Sequence, residues 1–231
     1  MKAILLDIEG TTTPIDFVHK VLFPYAKERV GKYVEMHFGG LSTEISQLVD
    51  ESSHDKTYTV PVDPTEPGSV SAYLEHLITV DRKSTPLKFI QGDIWKKGYE
   101  SGELKSIVYE DVPPAFERWT AAGKTIAIYS SGSVLAQKLL FGYTDHGDLT
   151  PFISANFDTN IGHKREAESY RKIAEALSLN AEDVLFLSDI PEELDAAREA
   201  GFETALTVRP GNAPLESDTP HPSIHTFDEL S

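Results

Sequence analysis

Two carboxylic acids separated by one residue, Asp7 and Glu9, follow the first apolar run of the chain, Ala3 to Leu6. Side chains two positions apart on an extended backbone project to the same side, so both can face one reacting group. One carboxylate could attack phosphorus while its partner transfers protons. Gly10 would then let the chain turn close to a ligand. The plainer interpretation is that Asp7 ends a strand and Glu9 faces solvent, which is the commoner outcome for an isolated pair.

A pair of serines, Ser130 and Ser131, follows a second apolar run and precedes a helical pattern. Hydroxyl groups and free backbone N–H groups at such a junction can hold a phosphate. Serine is also a common helix cap, so capping is an equally good interpretation of these residues taken alone.

Two charged residues later in the chain complete a candidate site. Lys164 precedes a helical pattern and could balance charge between two carboxylates and a phosphate; a surface position is the alternative. Asp189 follows a third apolar run and could bind Mg²⁺, which prefers carboxylate oxygens. Asp189 and Glu192 also have the spacing of a capping box, although such boxes usually start with Ser or Thr. Glu193 is a candidate partner behind the site.

Composition excludes several other kinds of site. The chain has 231 residues and no cysteine, which rules out disulfides, zinc–thiolate sites and a thiol nucleophile. Its formal net charge of −16 argues against binding nucleic acid or an anionic membrane. No apolar run approaches the roughly 20 residues of a membrane span. An anionic substrate would therefore need a bound cation and a well-placed lysine.

Short apolar runs followed by helical patterns predict a doubly wound α/β fold with a parallel sheet. The predicted strands are residues 3–6, 125–129 and 184–187, with weaker candidates at 152–157 and 204–208. The predicted helices between them are residues 134–140, 166–177 and 192–200. Ligands of such sheets bind beyond the carboxyl ends of the strands, where the polar residues above are placed.

Residues 16–105 interrupt this alternation and predict a helical insertion. Helical patterns cover residues 18–37, 69–80 and 94–102, and a polar stretch at 52–67 separates the first two. We expect a catalytic core of residues 1–15 and 106–231 and a cap of residues 16–105 that acts as a lid over the strand ends. The proline-bearing tail, residues 210–231, is expected to wrap the surface.

Taken in order, the acid pair, Ser130, Lys164 and Asp189 resemble the motifs of the haloacid dehalogenase superfamily of phosphatases. A closer resemblance is to enolase-phosphatases of the methionine salvage pathway, over residues 1 to about 212. The motifs that carry it are Asp7-Ile8-Glu9-Gly10-Thr11-Thr12, Phe23-Pro24-Tyr25, Gln91-Gly92-Asp93-Ile94-Trp95, Tyr129-Ser130-Ser131-Gly132-Ser133, Gly162-His163-Lys164, Gln137-Lys138-Leu139-Leu140-Phe141-Gly142 and Arg209-Pro210-Gly211-Asn212. Most phosphatases of the superfamily have Asp where Glu9 stands, whereas enolase-phosphatases share the Glu.

The resemblance implies a reaction. The substrate would be 2,3-diketo-5-methylthiopentyl 1-phosphate, which is enolised and then dephosphorylated to an acireductone. Asp7 would be the nucleophile and Glu9 the acid and base, while Ser130, Ser131 and Lys164 bind phosphate. Mg²⁺ would be held by Asp7, Asp189 and the carbonyl of Glu9. We expect a cytoplasmic monomer whose partner is a small phosphorylated metabolite, not nucleic acid or a membrane.

Three alternatives use the same motifs differently. A phosphatase of another small metabolite would share the site without enolisation. A dehalogenase would use Asp7 on carbon, but that branch lacks the second acid. A receiver-like signalling module would be phosphorylated on Asp7 and hydrolysed slowly, and the long insertion and Glu9 argue against it.

Overall fold

A computed structural model describes residues 1–214 and 219–230 of the chain. The chain forms two compact units: Met1–Val18 together with Lys105–Ser231, and His19–Leu104. Within the described residues, no helix is long and apolar enough to span a bilayer.

The first unit is built on a six-stranded sheet in which every paired strand is parallel. The strands are β1 (Ala3–Leu6), β2 (Thr125–Tyr129), β3 (Ile153–Phe157), β4 (Val184–Ser188), β5 (Glu203–Thr207) and β6 (Ser223–Ile224). Their order across the sheet is β3-β2-β1-β4-β5-β6. The predicted doubly wound parallel sheet is confirmed, and the two weaker strand candidates are real strands.

Helices cover both faces of this sheet. They are α6 (Val112–Ala121) and α7 (Val134–Gly142) on one face and α8 (Ala167–Leu177) and α9 (Pro191–Glu199) on the other. A short helix, α1 (Ile15–Phe17), leads into a π-helical turn. The central strand β1 is buried on both sides because its side chains alternate: Ile4 and Leu6 join one core cluster, and Ala3 and Leu5 join the other. Helix α6 was not predicted.

The tail does more than wrap the surface, so that prediction is wrong where the tail is described. Strand β6 pairs with β5, and Phe227 is fully buried against Trp119 with ring centroids 5.2 Å apart. Aromatic burial of this kind makes the tail part of the core. Residues 215–218 and Ser231, which belong to the same predicted tail, lie outside the described residues.

The second unit is helical, as predicted, but two of its helices differ from the prediction. Its main helices are α2 (Phe23–His37), α3 (Ser42–His54), α4 (Pro67–Thr79) and α5 (Thr85–Glu100). Helix α3 was not predicted, and α5 begins at Thr85 instead of residue 94. The cause at α5 is local: Ser84 caps the helix by accepting from the N–H of Leu87, and Pro86 occupies its first turn.

Candidate active site

The loop after β1, residues 7–13 (the β1 loop), is held by a compact set of hydrogen bonds. The N–H groups of Thr11, Thr12 and Thr13 all donate to the carbonyl of Ile8, at 3.2, 2.9 and 2.9 Å. Asp7 is buried at the start of this loop, and Glu9 is half-buried within it. The turn therefore brings both acids of the predicted pair to the carboxyl end of the central strand.

Lys164 reaches Asp7 across the end of the sheet. Its Nζ atom lies 2.7 Å from Asp7 Oδ1 and 2.5 Å from Glu193 Oε2, and the residue is only 9% exposed. Burial alone would lower the pKa of Lys164, but the charges of Asp7 and Glu193 outweigh it and raise that pKa. Lys164 is therefore a buried ammonium group at the nucleophile candidate, and the alternative of a surface lysine is wrong.

Three hydroxyl groups fix the loop that carries Lys164. Tyr129 donates to the carbonyl of Gly162 at 2.9 Å, Ser169 to that of His163 at 2.7 Å, and Tyr170 to that of Lys164 at 2.6 Å. These bonds satisfy consecutive carbonyls of an irregular segment inside the fold. A buried cation held this rigidly needs little reorganisation to meet an anionic ligand.

Asp189 packs directly against the β1 loop. A Cβ atom on Gly10, whose φ is +69°, would overlap the Asp189 carboxylate, so glycine permits both the turn and the close approach. Burial and the charges of Asp7 and Glu193 raise the pKa of Asp189 to about 7. The capping-box interpretation is wrong: helix α9 is capped by Ile190, with no side-chain cap hydrogen bond.

Glu193 supports the site from behind. It accepts from the hydroxyl of Ser188 at 3.0 Å and contacts Lys164. Burial raises the pKa of its carboxyl, although the neighbouring Lys164 acts in the opposite direction. Asp189 lies just before α9, and Glu193 lies in the first turn of that helix. Lys164 contacts both Asp7 and Glu193.

The loop after β2, residues 130–133 (the β2 loop), also lies at the carboxyl edge. Ser130 is 5% exposed and accepts from the N–H of Gly132 at 3.2 Å, and Ser131 is half-buried. The helix cap is Ser133, whose hydroxyl accepts from the N–H of Ala136. Capping therefore does not account for Ser130 or Ser131.

Two side-chain amides, one buried and one half-buried, support these loops and were not predicted. Gln137 donates to the carbonyls of Gly132 and Phe157 at 3.0 and 2.8 Å. Asn212 donates to the carbonyl of Gly10 at 3.0 Å. Both lie in motifs that carry the family resemblance, and that membership was the only sign of their importance in the sequence.

The side chains fit a hard divalent cation. One buried ammonium group, Lys164, faces the carboxylates of Asp7 and Glu193, and Asp189 adds a third carboxyl group nearby. Among residues 1–214 and 219–230, no three His, Asp or Glu side chains form a metal cluster by themselves. The predicted ligand set needs only two carboxylates and a backbone carbonyl, all oxygen donors suited to Mg²⁺.

Several known proteins are similar to this chain over most of its length. The family model described as haloacid dehalogenase-like hydrolase matches residues 1–201. Enolase-phosphatase E1 of Leptospira borgpetersenii serovar Hardjo-bovis is 52% identical over 230 residues, covering 98% of this chain and 97% of the relative. Enolase-phosphatase E1 of Drosophila mojavensis is 51% identical over 223 residues, covering 94% of this chain and 89% of the relative.

A solved structure extends the similarity to the backbone. The crystal structure of UTR4 protein (Unknown transcript 4 protein) from Saccharomyces cerevisiae matches with a TM-score of 0.81 and 38% identity, covering 99% of both chains. The resemblance first found in scattered motifs therefore holds over nearly the whole length. This chain belongs to the haloacid dehalogenase-like hydrolases and, within them, to the enolase-phosphatase E1 family.

Proposed function

We propose that this chain converts 2,3-diketo-5-methylthiopentyl 1-phosphate into the acireductone 1,2-dihydroxy-3-keto-5-methylthiopentene and phosphate, by enolisation followed by dephosphorylation. The observation that carries the proposal is the buried ammonium group of Lys164 between Asp7 and Glu193, with Asp189 against the same loop. The proposal is also supported by the relatives of this chain, because the name enolase-phosphatase describes both steps, enolisation and removal of phosphate.

Asp7 is the proposed nucleophile. Its carboxylate attacks phosphorus in line, the bond from phosphorus to the ester oxygen breaks, and an aspartyl phosphate forms. Glu9 gives its proton to the departing oxygen. The Glu9 carboxylate then takes a proton from water, which attacks the aspartyl phosphate, releases phosphate and restores Asp7.

Ser130, the N–H of Ser131 and Lys164 are the proposed contacts to the phosphoryl oxygens. Hydrogen-bond donors and a fixed cation aimed at developing negative charge are strongest in a buried site. Asp7, Asp189 and the carbonyl of Glu9 would hold Mg²⁺, which when bound offsets repulsion between the phosphoryl group and the carboxylates and polarises the dicarbonyl. Lys164 keeps the Asp7 carboxylate in place before substrate arrives.

Enolisation requires a base for the carbon-bound proton, and Glu9 is our candidate. The helical unit His19–Leu104 is the proposed cap. We further propose that the protein acts as a cytoplasmic monomer on a small phosphorylated metabolite, without nucleic acid or membrane partners.

The test is a coupled assay that follows enolate absorbance and free phosphate together, with MgCl₂ present. We expect both signals with the diketo phosphate and much slower phosphate release from simple phosphate esters. Chelation should abolish release, and added Mg²⁺ should restore it. Equal rates on simple esters would instead identify a phosphatase of another metabolite, and a single turnover followed by a stable phosphoprotein would identify a receiver-like module.

A further inference from the structure

Asn212 holds the backbone of Gly10 from the far end of the chain. Its amide Nδ2 donates to the carbonyl of Gly10 at 3.0 Å and to the carbonyl of Thr207 at 3.1 Å. The Thr207 hydroxyl donates to the same Gly10 carbonyl at 3.3 Å. The Gly10 N–H donates to Thr13 at 2.8 Å, so both polar groups of this glycine are fixed.

The other side of the Asn212 amide explains why this contact matters. Its Oδ1 atom is buried, has no hydrogen-bond partner among residues 1–214 and 219–230, and lies 2.8 Å from the position that a Cβ on Gly10 would occupy. The Asp189 carboxylate borders the same position. Asn212 therefore packs on Gly10 beside Asp189, and its two accepting carbonyls determine which amide atom faces which way.

Gly10 needs an external restraint. At a φ of +69° it has no side chain to limit its conformation, and glycine moves readily between conformations. It stands directly after Glu9, and the Asp189 carboxylate packs against it. A shift of about 1 Å in such a loop can reduce turnover roughly a hundredfold.

We propose that Asn212 is a positioning residue that holds the β1 loop in the geometry needed by Asp7 and Glu9. This inference rests on the proposed function of those two acids. Arg209 supports the same loop through a hydrogen bond from Nε to the carbonyl of Thr11 at 3.1 Å. Two side chains of the segment after β5, Arg209 and Asn212, therefore donate hydrogen bonds to the backbone of the β1 loop.

The experiment compares Asn212→Ala and Asn212→Asp with two controls. Asn212→Asp keeps the shape but replaces the donor that faces two carbonyls with an acceptor. Asn180→Ala changes an exposed asparagine that makes no side-chain cap bond. Ile224→Val removes a buried methyl group from β6 and lowers stability while leaving both hydrogen bonds of the Asn212 side chain in place.

Three measurements are made on each variant: kcat and KM with the diketo phosphate, Mg²⁺ affinity by calorimetry without substrate, and amide hydrogen exchange of residues 7–13. Both Asn212 variants should lose at least about tenfold in kcat, with KM changed less than about threefold, because the contact orients reacting groups. Mg²⁺ affinity should fall by about tenfold, the size of loss typical when a residue that orients a metal ligand is replaced. Exchange in the β1 loop should be faster.

The controls decide between positioning and general stability. Both controls should keep wild-type kcat, Mg²⁺ affinity and loop exchange, even where Ile224→Val lowers the melting temperature as much as Asn212→Ala. Wild-type loop exchange in both Asn212 variants, or losses no larger than those of Ile224→Val, would overturn the proposal. If the wild-type protein fails to turn over the substrate, the proposed function fails, while hydrogen exchange and Mg²⁺ titration still test Asn212.

Discussion

At the scale of single residues, the buried ion pair of Asp7 and Lys164 is the main electrostatic feature of the site. A buried ion pair gains little stability on average, because removing two charges from water offsets their attraction. Here the ammonium group also contacts Glu193, and Asp189 lies close by. This arrangement is better explained by a need to hold anionic groups at one point than by stability.

Replacement of the nucleophile candidate is the most direct test at this scale. Asp7→Asn keeps the size of the side chain but removes the charge that attacks phosphorus. We expect phosphate release to fall by about 10³-fold or more, which corresponds to about 4 kcal/mol of transition-state stabilisation. Single-turnover phosphate release and circular dichroism measure the loss and the retained fold.

Asp145→Asn is the matched control, because Asp145 is an exposed aspartate of the same unit. It should leave turnover unchanged. Substantial turnover by Asp7→Asn would remove Asp7 from its proposed role.

At the scale of elements, the parallel strands place the site residues at one edge of the sheet, and side-chain amides hold the loops there by hydrogen bonds. The β2 loop depends on Gln137 of helix α7, which is 1% exposed. Its Oε1 accepts from Asn156 at 3.0 Å, and its Nε2 donates to Gly132 and Phe157. One side chain therefore connects the β2 loop with the end of strand β3.

Gln137→Glu should weaken phosphate binding. The variant would direct a carboxylate at two carbonyl groups that now accept hydrogen bonds, so Gly132 should move away from its present position. We expect the inhibition constant of inorganic phosphate to rise about tenfold, measured by competition at fixed Mg²⁺. Gln47→Glu, at an exposed position of α3, should leave it unchanged, and an unchanged constant in Gln137→Glu would argue against the role of this contact.

In the helical unit, Asp55 provides a test of pH dependence. It accepts from the hydroxyl and the N–H of Thr57 at 2.6 and 2.8 Å, and Arg82 lies 3.3 Å away. These hydrogen bonds, aided by the charge of Arg82, lower the pKa of Asp55 below its ordinary value of 3.8. A lowered pKa stabilises the folded state above the unfolded-state pKa, and this contribution is lost as pH falls through the folded-state value.

Asp55→Asn should therefore destabilise the protein at pH 7, and the difference from wild type should narrow as pH falls below about 3.8. Urea unfolding across this pH range measures it. Asp63→Asn is the matched control, because Asp63 makes the same two bonds to Thr65 but is exposed. Equal effects of the two substitutions would show that the burial of Asp55 and its contact with Arg82 contribute nothing.

At the scale of the whole molecule, net charge opposes the substrate. The formal charge is −16, and a phosphate ester is also anionic. Long-range repulsion slows encounter, whereas the attraction of Lys164 acts only over short distances. The Debye length shortens from about 30 Å at 0.01 M salt to about 8 Å at 0.15 M, so salt should relieve the repulsion.

We predict that kcat/KM rises about two- to threefold between roughly 10 and 150 mM KCl at fixed Mg²⁺. The value of kcat should stay constant, since it describes substrate already bound. Stopped assays at low and saturating substrate separate the two quantities. A fall of kcat/KM with salt would mean that local positive charge steers the substrate despite the net charge.

The sequence by itself determined the sheet and the identity of the acids and lysine at its edge. Buried parallel strands are continuous apolar runs, and the residue after each run is necessarily at the carboxyl edge, so Asp7, Ser130 and Asp189 could be found by position alone. Strand β6 was not predicted, because two residues are too few to show an apolar pattern. Helix α3 was not predicted either, because its few apolar residues give only a weak helical pattern.

Tertiary structure alone decided which side chains meet. The contact of Lys164 with Asp7 and Glu193, and the contact of Asn212 with Gly10, join residues far apart in the chain through the packing of several elements. No local periodicity encodes such contacts, because each distance depends on sheet order and loop conformation together. The chemical groups were therefore readable in the sequence, whereas the restraints that hold them in place became visible only in the folded chain.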